Sequence, residues 1–302
     1  MIKTEKIVPA VVEFIDIAGI VKGASVGEGL GNKFLANIRS CDAIAEVVRV
    51  FEDSKVMHVS GEINPTSDIE TIKTELILAD LETVQRRIQK LEKEIKGNPK
   101  AVLALEATRK IETSLNAGTP ARDLHLTEKE TESTKDLNLL TAKPHIYVFN
   151  CDEKHLTNPS VIPAKAGNQK DFVLISAKIE SELNELSKDE KHEYLKELGQ
   201  EKSGLDNLIQ KGFELLGLQT YFTAGEKEIK AWTIYQGWTA PQAAGVIHGD
   251  FERGFIKAEV VNYEDLIEYK GWTGAKTAGK VRLEGRDYIV QDGDVMIFKF
   301  NV

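Results

Sequence analysis

Short apolar runs that end in polar residues are the feature that most constrains the fold of this chain. Four such runs occur, at residues 7–17, 43–50, 144–150 and 172–176. Runs this short and this rich in Val, Ile and Phe are typical of strands buried on both faces of a parallel sheet. Ligands of open α/β sheets bind beyond the carboxyl ends of the strands. We therefore expect Asp16, Asn150 and Ser176, which stand near the ends of three of these runs, to gather at one ligand-binding edge.

A helical pattern interrupts these strands between residues 68 and 116. Apolar residues recur there at spacings of four and three, at Ile77, Leu81, Val84, Ile88, Leu91 and Ile95. This spacing predicts a helix with one apolar seam, and Gly97-Asn98-Pro99 supplies a stop signal. Because a second helical pattern follows over residues 100–116, the sequence predicts an antiparallel helical hairpin. Two core helices of a globular domain are the alternative interpretation.

The pattern changes again near residues 216–219. Short stretches of Thr, Ile, Val and aromatic residues follow, separated by Gly or Asp, and Asp292-Gly293 stands between two alternating stretches. An Asp-Gly pair in that setting is a hairpin signal. The sequence therefore predicts a separate, small, β-rich domain at the C-terminus.

Composition and charge exclude several classes of protein. The chain has 39 Lys and Arg against 48 Asp and Glu, and this net charge of −9 argues against nonspecific binding of polyanions. No apolar run reaches the ~18 residues of a membrane-spanning helix, and the first residues lack the features of a signal peptide. Only Cys41 and Cys151 occur, too few for a disulfide framework. We expect a cytoplasmic protein with no membrane segment.

Asp16 and Gly19 form the first candidate site. A carboxylate can hold a water molecule of a Mg²⁺ shell, and the N–H of a glycine can approach a terminal phosphate without a Cβ in the way. An Asp and a Gly that only form a turn at the end of a strand are the alternative interpretation.

The segment Asn150-Cys151-Asp152-Glu153 is the second candidate. Nucleotide-binding G domains carry an N-K-x-D signature for guanine at such a strand end, and here Cys151 replaces the Lys and Glu153 replaces the Asp. A mispaired polar partner lowers discrimination strongly, so we expect poor guanine recognition. Asn150 can still pair with the N6/N7 edge of adenine, as Asn does elsewhere. An Asn that only caps a turn is the alternative.

Ser176-Ala177-Lys178 is the third candidate, because it matches the S-A-K loop that contacts the base in such domains. Each of the three segments is a weak signal by itself. Their order along the chain, each at the end of a predicted strand, indicates a nucleotide site.

At this point the residues resemble a known family. The stretch from Phe14 to Arg39, with Asp16-Ile17-Ala18-Gly19 and glycines at 23, 27, 29 and 31, resembles the signature of the YchF, or Obg-like, ATPases. The stretch from Thr239 to Ile256 resembles the TGS domain that ends those proteins. The resemblance covers essentially the whole chain.

The resemblance implies a fold and its domains. It implies a P-loop NTPase-like parallel α/β sheet over residues 1–66 and 142–217, with an inserted helical coiled-coil arm over residues 67–141. A β-grasp TGS domain would then occupy residues 218–302. We expect a monomer.

The resemblance also implies roles for individual residues. Asp16 would support Mg²⁺ through water, and Gly19 would face the γ-phosphate, with Ile17 and Ala18 beside it. Phe51 would pack on the base. Other implied base-pocket residues are Asn150, Cys151, Glu153, Ser176, Ala177 and Lys178. Because Ile20 stands where Ras-like enzymes have a water-orienting Gln, His58 is the candidate catalytic residue; a surface His is the alternative.

The implied function is binding and hydrolysis of ATP in preference to GTP, with association with the ribosome or with RNA. The sequence contains no G-x-x-x-x-G-K-[ST] motif, although family members carry one ahead of the segment matching residues 9–19. We therefore expect an N-terminal truncation that puts hydrolysis by this chain in question. The alternatives are a non-enzymatic ribosome-, RNA- or protein-binding module that uses the arm and the TGS domain, and a scaffold that pairs through the helical seam.

Overall fold

The computed structural model describes residues 4–17, 30–52, 63–95, 98–156 and 172–301. Contacts between residues divide the chain into two units. The larger unit runs from Ile15 to Lys211, and the other joins the chain up to Phe14 to residues from Gly212 onward.

The larger unit contains three strands and seven helices among its described residues. Its strands are β2 (Ile44–Arg49), β3 (His145–Asn150) and β4 (Phe172–Ile175). Its helices are α1 (Leu30–Ser40), α2 (Pro65–Glu94), α3 (Pro99–Asn116), α4 (Glu128–Thr134), α5 (Ala177–Asn184), α6 (Lys188–Glu197) and α7 (Gly204–Leu215), the last of which continues past the boundary at Lys211.

The three strands of the larger unit form the predicted parallel sheet, in the order β2-β3-β4. The central strand β3 is buried from His145 to Phe149, which is the burial that its continuous apolar run predicts. Phe149 is fully buried and packs with Val48 and Tyr147 against partly buried residues of β4 and of α2. The expectation of an α/β fold with parallel strands is confirmed.

The first apolar run behaves differently from the prediction. The sequence predicts a buried strand over residues 7–17, but only Lys6–Val8 form a strand, β1, which belongs to the sheet of the smaller unit. Residues 9–17 form no strand, and Val11 and Ile15 are more than half exposed. Pro9 follows the strand directly; since proline has no N–H to donate, the ladder ends there.

The domain boundaries differ from the prediction for the same reason. The sequence assigns residues 1–66 and 142–217 to the nucleotide-binding domain, whereas the chain up to Phe14 and from Gly212 groups with the C-terminal residues. The backbone groups of β1 pair with the C-terminal sheet, so the N-terminal residues are held there.

The helical hairpin is formed by α2 and α3, with bounds close to the predicted ones. Asn64 caps α2 by accepting a hydrogen bond from the N–H of Ser67 (3.1 Å), and Pro65 opens the helix. Val84 and Leu91 of the predicted seam are buried against Ile111 of α3.

The two halves of α2 have different neighbours. The first half is a core helix of the globular domain, and the second half is part of the helical hairpin, so each of the two interpretations of the seam describes one half. In the first half, Leu76 and Ala79 pack against Leu35 and Ile38 of α1 and against Leu140. That half belongs to the core beside the sheet. The second half packs against α3 as a hairpin.

Asp80 joins α2 to the turn that precedes β3. Its carboxylate is fully buried and accepts hydrogen bonds from the N–H of Leu140 (2.9 Å) and from the N–H and hydroxyl of Thr141 (both 2.7 Å). Arg39, near the end of α1, donates to the carbonyl oxygen of Asn138 and to the hydroxyl of Thr83 (both 3.1 Å). Burial raises the pKa of Asp80, and the hydrogen bonds from Thr141 and Leu140, together with the charge of Arg39, oppose the rise.

The smaller unit is a six-stranded sheet with short helices. Its strands follow the order β1-β6-β5-β9-β7-β8. The strands beyond β1 are β5 (Leu218–Ala224), β6 (Glu228–Tyr235), β7 (Phe255–Asn262), β8 (Arg282–Glu284) and β9 (Asp294–Phe300). The helices are α8 (Ala240–Ile247), α9 (Gly249–Arg253), α10 (Tyr263–Glu268) and α11 (Trp272–Thr277).

This unit confirms the predicted small β-rich domain. The strands β5 and β9 are parallel neighbours in the middle of the sheet, and each has an antiparallel neighbour on its other side. Helix α8 covers one face, where Ala240, Ala243 and Ala244 are fully buried against Tyr221.

The hairpin predicted at Asp292-Gly293 is not formed. Residues 288–290 contribute only an isolated bridge between Ile289 and Thr239, and β9 pairs with β5 and β7 instead. The turn is fixed to β5, because Asp292 accepts from the N–H of Thr220 (2.7 Å) and Gly293 donates to its carbonyl oxygen (2.9 Å). Gly293 has a φ of 83°, which favours glycine.

Within the described ranges, none of the helices combines the length and the apolar composition that crossing a membrane requires.

Candidate nucleotide site

The carboxyl ends of β2, β3 and β4 lie side by side at one edge of the parallel sheet. The N–H of Val50 donates to the carbonyl oxygen of Asn150 (2.9 Å), and the N–H of Cys151 donates to that of Ile175 (2.9 Å). Arg49 is directly paired with Asn150, which is paired with Ile175. The edge therefore brings together the last residues of three strands, as the sequence predicts for two of the three candidate segments.

Asn150 connects β3 to the segment after β4. Its side-chain oxygen accepts a hydrogen bond from the N–H of Ala177, 3.1 Å away and 27 residues further along the chain. Ala177 is the first residue of α5, and the preceding Ser176 is buried as its N-cap. The first N–H groups of a helix carry partial positive charge. This contact brings the second and third candidate segments together.

Cys151 cannot replace the lysine of a guanine signature as a cation. Its side chain is buried, and burial, with Asp152 beside it, raises the pKa of the thiol to about 11. It is therefore a neutral thiol at physiological pH.

Asp152 and Glu153 have separate roles at the end of β3. Asp152 caps a single 3₁₀ turn, Glu153–His155, by accepting from the N–H of His155 (3.2 Å), and it also contacts the ring of that residue. Glu153 is exposed on the turn, so its carboxylate is accessible from solvent. Lys178 is also exposed, and it forms a loose ion pair with Glu182 (3.8 Å).

Phe51 follows β2 at the same edge, and Arg49 lies against it. The guanidinium carbon of Arg49 is 4.5 Å from the centre of the Phe51 ring, and its Nε donates to the Phe51 carbonyl oxygen at 3.0 Å. Sequence reasoning missed Arg49. The signal was available, because an arginine at the end of a strand stands two residues before an aromatic candidate.

Asp16 does not stand at the end of a strand, contrary to the prediction, because residues 9–17 form none. Its side chain is exposed, whereas Ile17 packs against the core beside α1. Ala18, Gly19 and the catalytic candidate His58 lie outside the described residues.

A divalent cation has few candidate ligands in the described part of the chain, where no three His, Cys, Asp or Glu side chains are grouped suitably. A single carboxylate, completed by water and substrate phosphates, is a usual Mg²⁺ arrangement in nucleotide sites. Asp16, an exposed hard-oxygen donor, fits that limited role.

Three cationic side chains of the C-terminal unit, which could contact RNA, are engaged within that unit. Arg282 bonds to Tyr288 (2.9 Å) and pairs with Asp294 (3.4 Å). Lys280 pairs with Asp265 (3.1 Å). Arg286 donates to the Phe255 carbonyl oxygen at 2.9 Å.

Comparisons with known proteins give one consistent result. The family model YchF-GTPase_C, described as a protein of unknown function, matches residues 218–301. The chain is 52% identical over 310 residues to "Ribosome-binding ATPase YchF" of Bacillus subtilis, covering 100% of this chain and 85% of the relative. It is 53% identical to the protein of that name from Pasteurella multocida, with the same coverage.

Solved structures agree. The Schizosaccharomyces pombe YchF GTPase superposes with a TM-score of 0.83 at 35% identity, covering 98% of this chain and 82% of that one. A GTP-binding protein of Pyrococcus horikoshii superposes with a TM-score of 0.55 at 18% identity, which concerns the fold alone.

Proposed function

Since this chain belongs to the YchF family, we propose that it is a nucleotide-binding protein that associates with the ribosome in the cytoplasm. The observation that carries the proposal is the joined edge at the ends of β3 and β4, where Asn150 holds the N–H of Ala177. Relatives that match the whole chain are named ribosome-binding ATPases, and this agreement supports the same class of function.

We propose ATP as the preferred nucleotide. The Asn150 oxygen uses one lone pair on Ala177, so its second lone pair and its amide N–H groups can address the N6/N7 edge of adenine. Guanine recognition would require a cation at position 151 and an Asp at position 153, where the chain has a neutral thiol and a longer Glu. A site that leaves guanine mispaired discriminates against it.

The remaining site residues are assigned to the same nucleotide. We propose that Phe51 packs on the base, that Ser176 to Lys178 close its pocket, and that Ile17 to Gly19 lie near the phosphates. Mg²⁺ bound with the nucleotide would neutralise phosphate charge, and Asp16 would hold one of its waters. His58 is the proposed group that positions the attacking water.

A binding module without hydrolysis is the second candidate, and the sequence itself favours it in one respect. The G-x-x-x-x-G-K-[ST] motif, whose backbone N–H groups and Lys bind phosphates, does not occur in these 302 residues. In that case, the helical hairpin and the C-terminal unit would provide the contact with the ribosome or with protein.

Equilibrium binding tests both candidates. A fluorescent ATP analogue with Mg²⁺ is titrated into the chain, and unlabelled ATP and GTP then compete for the site. The proposal predicts saturable binding, stronger competition by ATP, and a loss of about tenfold for Asn150→Ala. Asn262→Ala is the matched control, because Asn262 also accepts from a backbone N–H (Glu264, 2.8 Å) but lies in the C-terminal unit.

The outcomes separate the candidates. Absence of saturable binding, with retained co-sedimentation with ribosomes, would leave only the binding module. Equal competition by ATP and GTP would refute the argument from Asn150, Cys151 and Glu153. If ATP binds, turnover that is unchanged in His58→Ala would remove His58 from the mechanism.

A further inference from the structure

We propose that Arg49 is a positioning residue of the nucleotide site, which holds the ring of Phe51 ready to stack on the base. The inference rests on the proposed function, since it concerns the base subsite of that function.

The first support is the location of Arg49 in the sheet. It is the last residue of β2 and is paired in register with Asn150, the last residue of β3. Paired residues of a sheet project from the same face. Arg49 and Asn150 thus share a face and an edge, and Asn150 is the proposed contact with the base.

The second support is the double contact between Arg49 and Phe51. The guanidinium lies over the ring at 4.5 Å, within the range of a cation–π interaction. Its Nε also donates to the Phe51 carbonyl oxygen at 3.0 Å. One side chain therefore fixes both the backbone and the ring of a residue that stands just beyond the end of a strand.

The third support is that the contact with Arg49 leaves one face of the Phe51 ring available. A guanidinium stacked on one face of an aromatic ring leaves the opposite face for another flat group, and a purine base is such a group. The ring of Phe51 is only partly buried. Ordering that ring before the nucleotide arrives lowers the entropic cost of stacking.

The test uses the full chain and four variants: Arg49→Ala, Arg49→Lys, Phe51→Ala and the double variant Arg49→Ala/Phe51→Ala. Binding of ATP and of adenosine is measured for each. We expect Phe51→Ala to weaken binding by roughly tenfold or more and Arg49→Ala by about three- to tenfold. Arg49→Lys should recover part of the loss, because it keeps the cation over the ring but not the planar Nε donor.

Two comparisons identify a role that acts through Phe51. The double variant should bind no more weakly than Phe51→Ala, within about twofold, because the effect of Arg49 is lost with the ring. Arg49→Ala should weaken ATP and adenosine by the same factor. Lys230→Ala is the matched control, since Lys230 lies 3.5 Å from the Trp232 ring in the C-terminal unit, and it should leave both affinities unchanged.

Each other outcome contradicts the inference in a recognisable way. Additive losses in the double variant, or a loss confined to ATP, would mean that Arg49 acts on phosphate or on the fold and not through the ring. Wild-type affinity in Arg49→Ala would remove Arg49 from the site while leaving the proposed function intact. A wild-type chain that binds neither ligand would refute the proposed function, and this inference with it. If Arg49→Ala lowers the midpoint of unfolding, the affinities for ATP and adenosine are compared instead in Arg49→Lys, which keeps the cation.

Discussion

Replacing Asp80 by alanine removes the anchor between α2 and the turn before β3. Three hydrogen bonds are lost, two of them from the backbone N–H groups of Leu140 and Thr141. Both residues are almost completely buried, so their N–H groups would lose their acceptor away from bulk water. An unsatisfied buried donor costs roughly 1–3 kcal/mol, so the two N–H groups together cost about 2–6 kcal/mol.

Burial of the carboxylate reduces the expected loss. Burial has the largest effect on the pKa of Asp80 and raises it, which shows that the ionised carboxylate is costly to bury. Removing the carboxylate recovers part of that cost. We therefore expect Asp80→Ala to lower the free energy of unfolding of the larger unit by about 2–4 kcal/mol. Asp80→Asn keeps one carbonyl acceptor and should lose about half as much.

The measurement is chemical denaturation followed by two signals. All three Trp residues lie in the C-terminal unit, at 232, 238 and 272, so their fluorescence reports on that unit. Far-ultraviolet circular dichroism is dominated by the long helices α2 and α3 of the larger unit. The dichroism transition should shift for Asp80→Ala. Asp136→Ala is the control, because Asp136 is exposed and its ion pair with Arg87 (3.1 Å) contributes less than ~1 kcal/mol. A loss no larger than that of the control would refute the account of Asp80.

Two further predictions concern α4 and the C-terminal sheet. The hydrogen bond from Lys110, and to a smaller extent that from the N–H of Thr127, lowers the pKa of Glu130 from 4.5 to about 2. The ionised Glu130 therefore stabilises the fold above pH 4.5, and this stabilisation is lost as the pH falls towards 2. Glu130→Gln should reduce the fall in the free energy of unfolding over this pH range, and an unchanged fall would contradict the assignment. A Cβ at Gly254 would overlap a neighbouring backbone carbonyl, whereas one at Gly249 would meet open space. Gly254→Ala should therefore cost roughly 1–3 kcal/mol by tryptophan fluorescence, more than Gly249→Ala, and equal losses would refute the close approach.

Within the larger unit, β3 could be predicted most directly from the sequence, because it is buried on both faces, whereas β2 leaves Val47 exposed. The run at 144–150 can be recognised as β3 without tertiary information, since its short continuous apolar pattern is typical of a buried strand, and His145 to Phe149 are all buried. The α2 seam was equally clear. The sequence did not show that the two halves of α2 pack in different cores, because heptad spacing indicates one apolar face and does not say which element covers it.

The errors have physical causes that a local pattern does not contain. The segment at 9–17 has the composition of a strand but no strand partner among the described residues, and Pro9 ends the ladder before it. The Asp292-Gly293 turn has hairpin chemistry, but its hydrogen bonds go to Thr220 on another strand. Arg49 was missed because its role depends on a ring that only folding brings beneath it.

The central claim is that the joined ends of β3 and β4 form the base subsite of a nucleotide. Amide NMR of the nitrogen-15-labelled chain, titrated with ATP and Mg²⁺, tests it most directly. The account predicts saturable shifts of the Asn150 side-chain amide and of the Ala177 backbone amide, with smaller shifts for GTP at the same concentration. Saturable shifts that leave both amides unchanged, or that are confined to the C-terminal unit, would contradict it.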